Sequence, residues 1–203
     1  MSNHTGPGPN LSVARKLLKS GDAAAAFAAL RSVCSSPSST VEDLFAAGKV
    51  IKSYLQQFPV SATPLKVLLV GQCTVSWLGY ALAAEALSRN SLIELVEGGY
   101  DQVLQDLMSY DSGERPDVVV LLPWAERRLD GGFRNDQGLA DAEVAFWRQA
   151  HKLIVDRFGS RIVQIGCDYT YYGAGGAHLS GTQDGLIGRT RMVNAALREA
   201  TPH

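Results

Sequence analysis

The sequence predicts a three-layer α/β domain built on a parallel sheet and preceded by a small α-helical segment. Three observations carry this. From Lys66 onward, short runs of branched apolar residues alternate with stretches of helical periodicity, the grammar of repeated β-α units. The first run, Val67 to Val70, is continuously apolar, as in a strand buried on both faces, and a helical pattern begins within four residues of Gly71. Residues 11–60, by contrast, hold alanine-rich helical patterns and no such run.

Residues 1–10, rich in Gly, Pro and Asn, read as disordered. Asn10 can cap a short helix through Leu18 that Gly21 ends, and Asp22 caps a second, alanine-rich helix ending near Cys34. After the linker Ser35–Ser39, the overlapping patterns Ser39-x-x-Glu42 and Thr40-x-x-Asp43 are capping boxes for a third helix. That helix carries Leu44, Ala47, Ile51, Tyr54 and Leu55 on one face, with Pro59 just past its end. Residues 11–60 are thus a helical preface, and residues 64–203 the α/β domain.

Within that domain, strand one (66–70) leads to a helix from about Val75 to Arg89. Leu92 to Val96 is strand two, closed by Gly98-Gly99, and Tyr100 to Tyr110 is a helix with Val103, Leu104 and Leu107 inward. Val118 to Leu122 is the most strand-like run. A polar loop (Asp130 to Gly138) leads to a helix ending near Phe158, and Arg161 to Ile165 is strand four. A long loop from Gly166 to Gly185 precedes a last helix, Leu186 to Ala200. Right-handed crossovers then give a flavodoxin-like arrangement.

Bulk properties exclude several classes. With 203 residues, 46% of them apolar, and a net charge of −1, the chain gives no electrostatic reason to expect nucleic acid or an anionic membrane as partner. No apolar stretch reaches the ~20 residues that span a bilayer, and the N-terminus has neither the basic nor the apolar region of a signal peptide. Three widely separated cysteines (Cys34, Cys73, Cys167) make no disulfide framework and suit a reducing cytoplasm. Neither Cys-x-x-Cys nor His-x-x-x-His occurs, so no metal site is expected, and Gly71-Gln-Cys-Thr74 is neither a Walker loop nor a dinucleotide fingerprint. The expectation is a cytoplasmic protein with no bound cofactor.

Strand ends in such a sheet face one crevice, which collects Gly71–Thr74, Glu97–Tyr100, Pro123–Arg128 and the loop from Gly166 to Gly185. Cys73 is the candidate nucleophile. Helix-start amides and the helix dipole favour its thiolate; the bland alternative is a small buried hydrophobe. His178 is the candidate base, or else an exposed loop histidine, while His151 reads as structural or surface. Asp168 either orients His178, as in a triad, or caps the loop. Gly71, Gln72 and Thr74 are candidate oxyanion or substrate contacts, with Tyr100, Trp124 and Asn194. Arg127 and Arg128 suit a phosphate or a solvated surface equally.

Strand–Gly–x–Cys at the first β-α turn resembles the nucleophile block of SGNH hydrolases, with Cys73 in place of serine. The order of further features resembles the N-terminal domain of FkbH-like proteins. These are the alanine-rich preface, Pro64-Leu-Lys-Val-Leu-Leu-Val-Gly71, Gly99-Tyr-Asp-Gln-Val-Leu-Gln-Asp-Leu107, Arg115-Pro-Asp-Val-Val-Val-Leu-Leu122, and the tail from Gly181 to Leu197 with Asn194. The resemblance covers nearly the whole chain and implies an SGNH-like acyltransferase that takes a glyceryl unit from 1,3-bisphosphoglycerate. It passes that unit to the phosphopantetheine of an acyl carrier protein in polyketide biosynthesis. Carried over, Cys73 holds the acyl thioester and His178 is its base. The family's usual partner is a haloacid-dehalogenase-type phosphatase domain, whose Asp-x-Asp motif is absent here, as are the Gly-x-Asn-Asp and Asp-x-x-His blocks of SGNH hydrolases. Two other readings stay open: an esterase or thioesterase using the same residues with water, and a non-catalytic carrier-docking module using the helical preface.

Overall fold

The structure, a computed structural model, describes residues 9–58, 63–124, 129, 138–167 and 186–200. Among these, four strands form one parallel sheet, and there are seven α-helices. The helices α1 (Pro9–Lys19), α2 (Ala23–Ser35) and α3 (Val41–Tyr54) come first. There follow β1 (Leu65–Gly71), α4 (Ser76–Ser88), β2 (Ile93–Tyr100), α5 (Val103–Ser109), β3 (Val118–Leu122), α6 (Gly138–Arg157), β4 (Arg161–Gln164) and α7 (Leu186–Ala200). The strand order is β2-β1-β3-β4, the beginning of the flavodoxin-like order, which reverses direction between β1 and β3.

The chain divides into two compact units. In the first (residues 1–68 and 75–97), α1 packs on α2, and α2 and α3 both pack on α4. Small residues set the close approach of α3 and α4. A Cβ on Gly48 would stand 2.0 Å from the Tyr80 carbonyl oxygen, so only glycine fits there. Asp22 caps α2 by accepting from the Ala25 amide, and Gly21, at φ +84, turns the chain out of α1. Of the two overlapping capping patterns, Thr40 and Asp43 form the reciprocal box. The Ser39 hydroxyl instead donates to the Val33 carbonyl.

In the second unit (residues 69–74 and 98–203), β3 and β4 pair in parallel with Val118 opposite Arg161. Helix α6 packs on α5 and α7. Val119, Leu121, Leu129, Trp147, Ile154 and Val193 are fully buried in this core.

Most boundaries differ from the sequence expectation by a residue or two, and Asn10, expected as a cap, lies inside α1; the largest shift, at β2 and α5, has one reason. Strand β2 continues through Gly98-Gly99 to Tyr100, and α5 starts only at Val103. Glycines let the strand pass close under α5: a Cβ on Gly98 would stand 2.3 Å from Asp106 Oδ2 and 2.9 Å from Val70 Cγ1. The Asp106 carboxylate accepts from the Gly99 amide at 2.8 Å. Burial raises the Asp106 pKa, and that amide bond holds it back in part. Asp101, at φ +56, makes the turn that the expected helix start had overlooked.

Candidate functional site

The turn after β1 is fixed from both sides. The Gly71 carbonyl accepts from the Asp101 amide at 3.2 Å, and the Gln72 amide donates to the Leu122 carbonyl at 2.9 Å. The Gln72 side chain, fully buried, does the rest: its Oε1 accepts from the Trp124 amide at 2.8 Å and its Nε2 donates to Glu143 Oε1 at 2.7 Å. Trp147 Nε1 donates to the same Glu143 oxygen at 2.7 Å. A buried carboxylate thus receives two side-chain donors, as a buried acid requires. The expected role of Gln72 as an oxyanion donor is therefore corrected, because both its amide and its side chain are spent inside the protein. It is a positioning residue for the turn.

Cys73 follows directly and is partly exposed. Neither it nor the exposed Thr74 makes a hydrogen bond to another described residue. A partly exposed thiol and an exposed threonine therefore follow directly on a locked residue. The electrostatics run against the sequence expectation. Burial pushes the Cys73 thiol above its ordinary value. Helix α4 starts only at Ser76, with Val75 in the cap position, so Cys73 lies outside the first turn, where dipole stabilisation is concentrated.

Tyr100 and Trp124 flank this turn on the neighbouring strand ends, in an edge-to-face pair with centroids 6.2 Å apart; Tyr100 is half exposed. They form an apolar wall with polar tips, suited to holding a substrate. Asn194 on α7 has a different part from the one expected. Its Oδ1 accepts from the Cys167 amide at 2.7 Å and its Nδ2 donates to the Cys167 carbonyl at 2.9 Å, clamping the chain as it leaves β4. Cys167 is buried, and its thiol is pushed up to about 12 by burial and then by the Glu143 charge. Glu97, on the other hand, belongs to the first unit, where Lys52 Nζ pairs with it at 2.7 Å and the Ser76 hydroxyl donates to it at 2.8 Å.

His178, Asp168, Arg127 and Arg128 lie outside the described residues. His151 is buried in α6, where its Nε2 meets Gln164 Oε1 at 3.1 Å. In the first unit, a cleft of about 270 Å³ is lined by Lys52, Ser53, Tyr54, Gln56, Ile93 and Glu94. Among the described residues no group of three or more His, Cys, Asp and Glu side chains is placed to hold a metal ion.

Glu143 is the residue that sequence reasoning missed. Its signal was present: Ala140, Val144, Trp147, Ala150 and Ile154 form the apolar stripe of α6, and Glu143 stands on that stripe. An acid on a buried helix face needs partners, and Trp147 one turn later is one.

The class the fold defines is α/β with a parallel sheet. The N-terminal part of the protein BF1531 from Bacteroides fragilis, containing a phosphatase domain complexed with Mg, has a similar fold, with a TM-score of 0.58 and 24% identity. That likeness covers 75% of this chain and 41% of that one, so the match spans less than half of the neighbour's length. No protein-family model matches the chain, and no curated protein does. Among the described residues, no helix is long and apolar enough to cross a membrane.

Proposed function

We propose that this chain is a cysteine-dependent acyltransferase of SGNH-like type. It takes an activated, glyceryl-like acyl unit on Cys73 as a thioester and passes it to the phosphopantetheine thiol of an acyl carrier protein. The observation that supports this is the locked turn: Gln72 is held on three sides, while among the described residues nothing hydrogen-bonds Cys73 or Thr74. The Cys73 sulfur attacks the acyl carbonyl, the two amides receive the oxyanion, and the donor's phosphate or thiolate leaves. The carrier thiol then attacks the thioester, and Cys73 departs and is reprotonated. Because burial raises the Cys73 thiol, it rests protonated at neutral pH and needs a base to remove its proton. His178 is the candidate, with Asp168 orienting it.

The structural neighbour's description includes a phosphatase domain. The present chain has no Asp-x-Asp motif. We place it as the acyl-handling part beside such a domain of haloacid-dehalogenase type, in a cytoplasmic biosynthetic pathway of polyketide kind.

The test is carrier loading. Wild type, Cys73→Ala and His178→Ala are incubated with an acyl-phosphate or acyl-thioester donor and a phosphopantetheinylated carrier, and acyl-carrier and free acid are both quantified. The expected result is acyl-carrier in excess of free acid, lost with Cys73→Ala and slowed about 10²-fold or more with His178→Ala. Free acid as the main product identifies a hydrolase. Loading undiminished in Cys73→Ala overturns the nucleophile.

A further inference from the structure

The link from α6 to the turn after β1 has a direction, and Glu143 sets it. A carboxylate offers only acceptors, so a side chain that bonds to it must donate. The Gln72 amide could present either its nitrogen or its oxygen to a neighbour. Glu143 Oε1 takes the nitrogen at 2.7 Å, which leaves the Gln72 oxygen as the end that accepts from the Trp124 amide at 2.8 Å. With the amide reversed, oxygen would face carboxylate and N–H would face N–H, leaving four polar groups without partners in the interior. Trp147 Nε1, four residues on along α6, donates to the same Glu143 oxygen at 2.7 Å and holds the carboxylate in place. Gln72 and Glu143 are both more than nine-tenths buried, so little water competes for these bonds.

The charge and the hydrogen bonds of Glu143 act on different thiols. Its charge bears on Cys167, whose thiol it helps to raise, whereas the cause for Cys73 is burial. Its hydrogen bond reaches Gln72, the residue before Cys73. One carboxylate therefore ties the candidate nucleophile's turn to Trp124, which carries half of the aromatic wall.

We infer that Glu143 is a positioning residue for the Cys73 turn, acting through the orientation of the Gln72 amide and not through its charge. The expected effect on rate rests on the acyl-transfer reading; the effect on the turn does not.

The experiment is a double-mutant cycle in the full chain: Gln72→Met, Glu143→Met and the two together, beside Glu143→Gln. Methionine is close in shape to both side chains and lacks their hydrogen bonds. Carrier-loading kinetics and the rate of Cys73 alkylation by iodoacetamide are measured at a temperature where all the melting curves are flat. Glu143→Met should lower kcat about tenfold or more with KM within about twofold of wild type, since orientation of the nucleophile is felt in the transition state. Gln72→Met should lose a similar factor, and the double variant no more than either alone, because residues that act as a unit are not additive. Glu143→Gln keeps an oxygen able to accept from both donors and should stay within about threefold of the wild-type kcat. Cys73 alkylation should quicken in both methionine variants and not in Glu143→Gln, because a released turn loses the burial that raises the thiol.

Losses that multiply in the double variant overturn the inference, and so does a Glu143→Met protein that loads at the wild-type kcat. A Glu143→Gln protein as slow as Glu143→Met also overturns it, since the charge would then be what matters. If wild type loads no carrier, the acyl-transfer reading fails instead, and the alkylation rates decide: unchanged rates in both methionine variants overturn the positioning role.

Discussion

Cys73 is the most reactive of the three thiols for a reason of degree. All three are raised: Cys34 to about 11 by burial and then by the Glu85 charge, Cys167 to about 12, and Cys73 upward by burial alone. Only Cys73 lacks a neighbouring carboxylate among its causes. Iodoacetamide labelling at pH 8, followed by peptide mass spectrometry, should therefore modify Cys73 first and Cys167 last, with Cys73 still slower than a free small thiol. Labelling of Cys167 before Cys73 would contradict the burial pattern. Gln72 offers a second residue-level check. Gln72→Ala strips a donor from Glu143 and an acceptor from the Trp124 amide, both inside the protein. The expected loss is about 2–3 kcal/mol in denaturant unfolding, whereas a loss below about 0.5 kcal/mol would show the network to be dispensable. The place of Gln72 as a polar neighbour of the candidate nucleophile is plain in the sequence. Its partners were not, because Glu143 lies 71 residues away and only the fold brings it near.

The helices and strands follow from local signals to different degrees. Strand β3 and helix α7 have the limits that their apolar patterns dictate, and the capping box at Thr40 marks the start of α3 directly. The segment from Gly98 to Asp101 was misread because its conformation is set by tertiary approach. The diglycine, which alone reads as a strand terminator, lets β2 run on beneath Asp106 and Val70. Close approach also governs α3 and α4. In an isolated helix Gly48→Ala would gain about 1 kcal/mol of propensity. Here the new methyl would meet the Tyr80 backbone at 2.0 Å, and backbone cannot rotate aside. Overpacking of about 1–3 kcal/mol or more should win, so Gly48→Ala is expected to lower the melting temperature. A rise would mean that the two helices separate without penalty.

At the scale of the whole molecule, the raised thiols of Cys34 and Cys167 should make stability fall as the solution turns alkaline. A group whose folded pKa is raised stabilises the fold below its unfolded value and loses that contribution as pH rises toward the folded value. For Cys34 and Cys167 the window runs from their ordinary 9.0 to about 11 and about 12. Within it the unfolded chain has released protons that the folded one retains, so stability falls with rising pH. Denaturant melts from pH 8 to pH 11 should show this decline, and Cys34→Ala with Cys167→Ala should flatten it; an unchanged slope in the double variant would assign the decline to other groups. The α/β class and strand sequence were legible because hydrophobic periodicity is local. The geometry around Cys73 depends on Gln72, Trp124 and Glu143 meeting across the second unit, which periodicity does not encode. Asn194 was likewise picked out by its place in the chain, while its clamp on Cys167 is visible only in three dimensions.

Acylation of Cys73 can be read by intact-protein mass spectrometry. Wild type and Cys73→Ala are incubated with 1,3-bisphosphoglycerate generated in situ and with a panel of acyl thioesters. A single mass gain equal to one acyl unit is expected on wild type, discharged by a carrier thiol and absent from Cys73→Ala. An adduct that survives in Cys73→Ala, or a Cys73 that neither acylates nor reacts with a thiol probe, would contradict it.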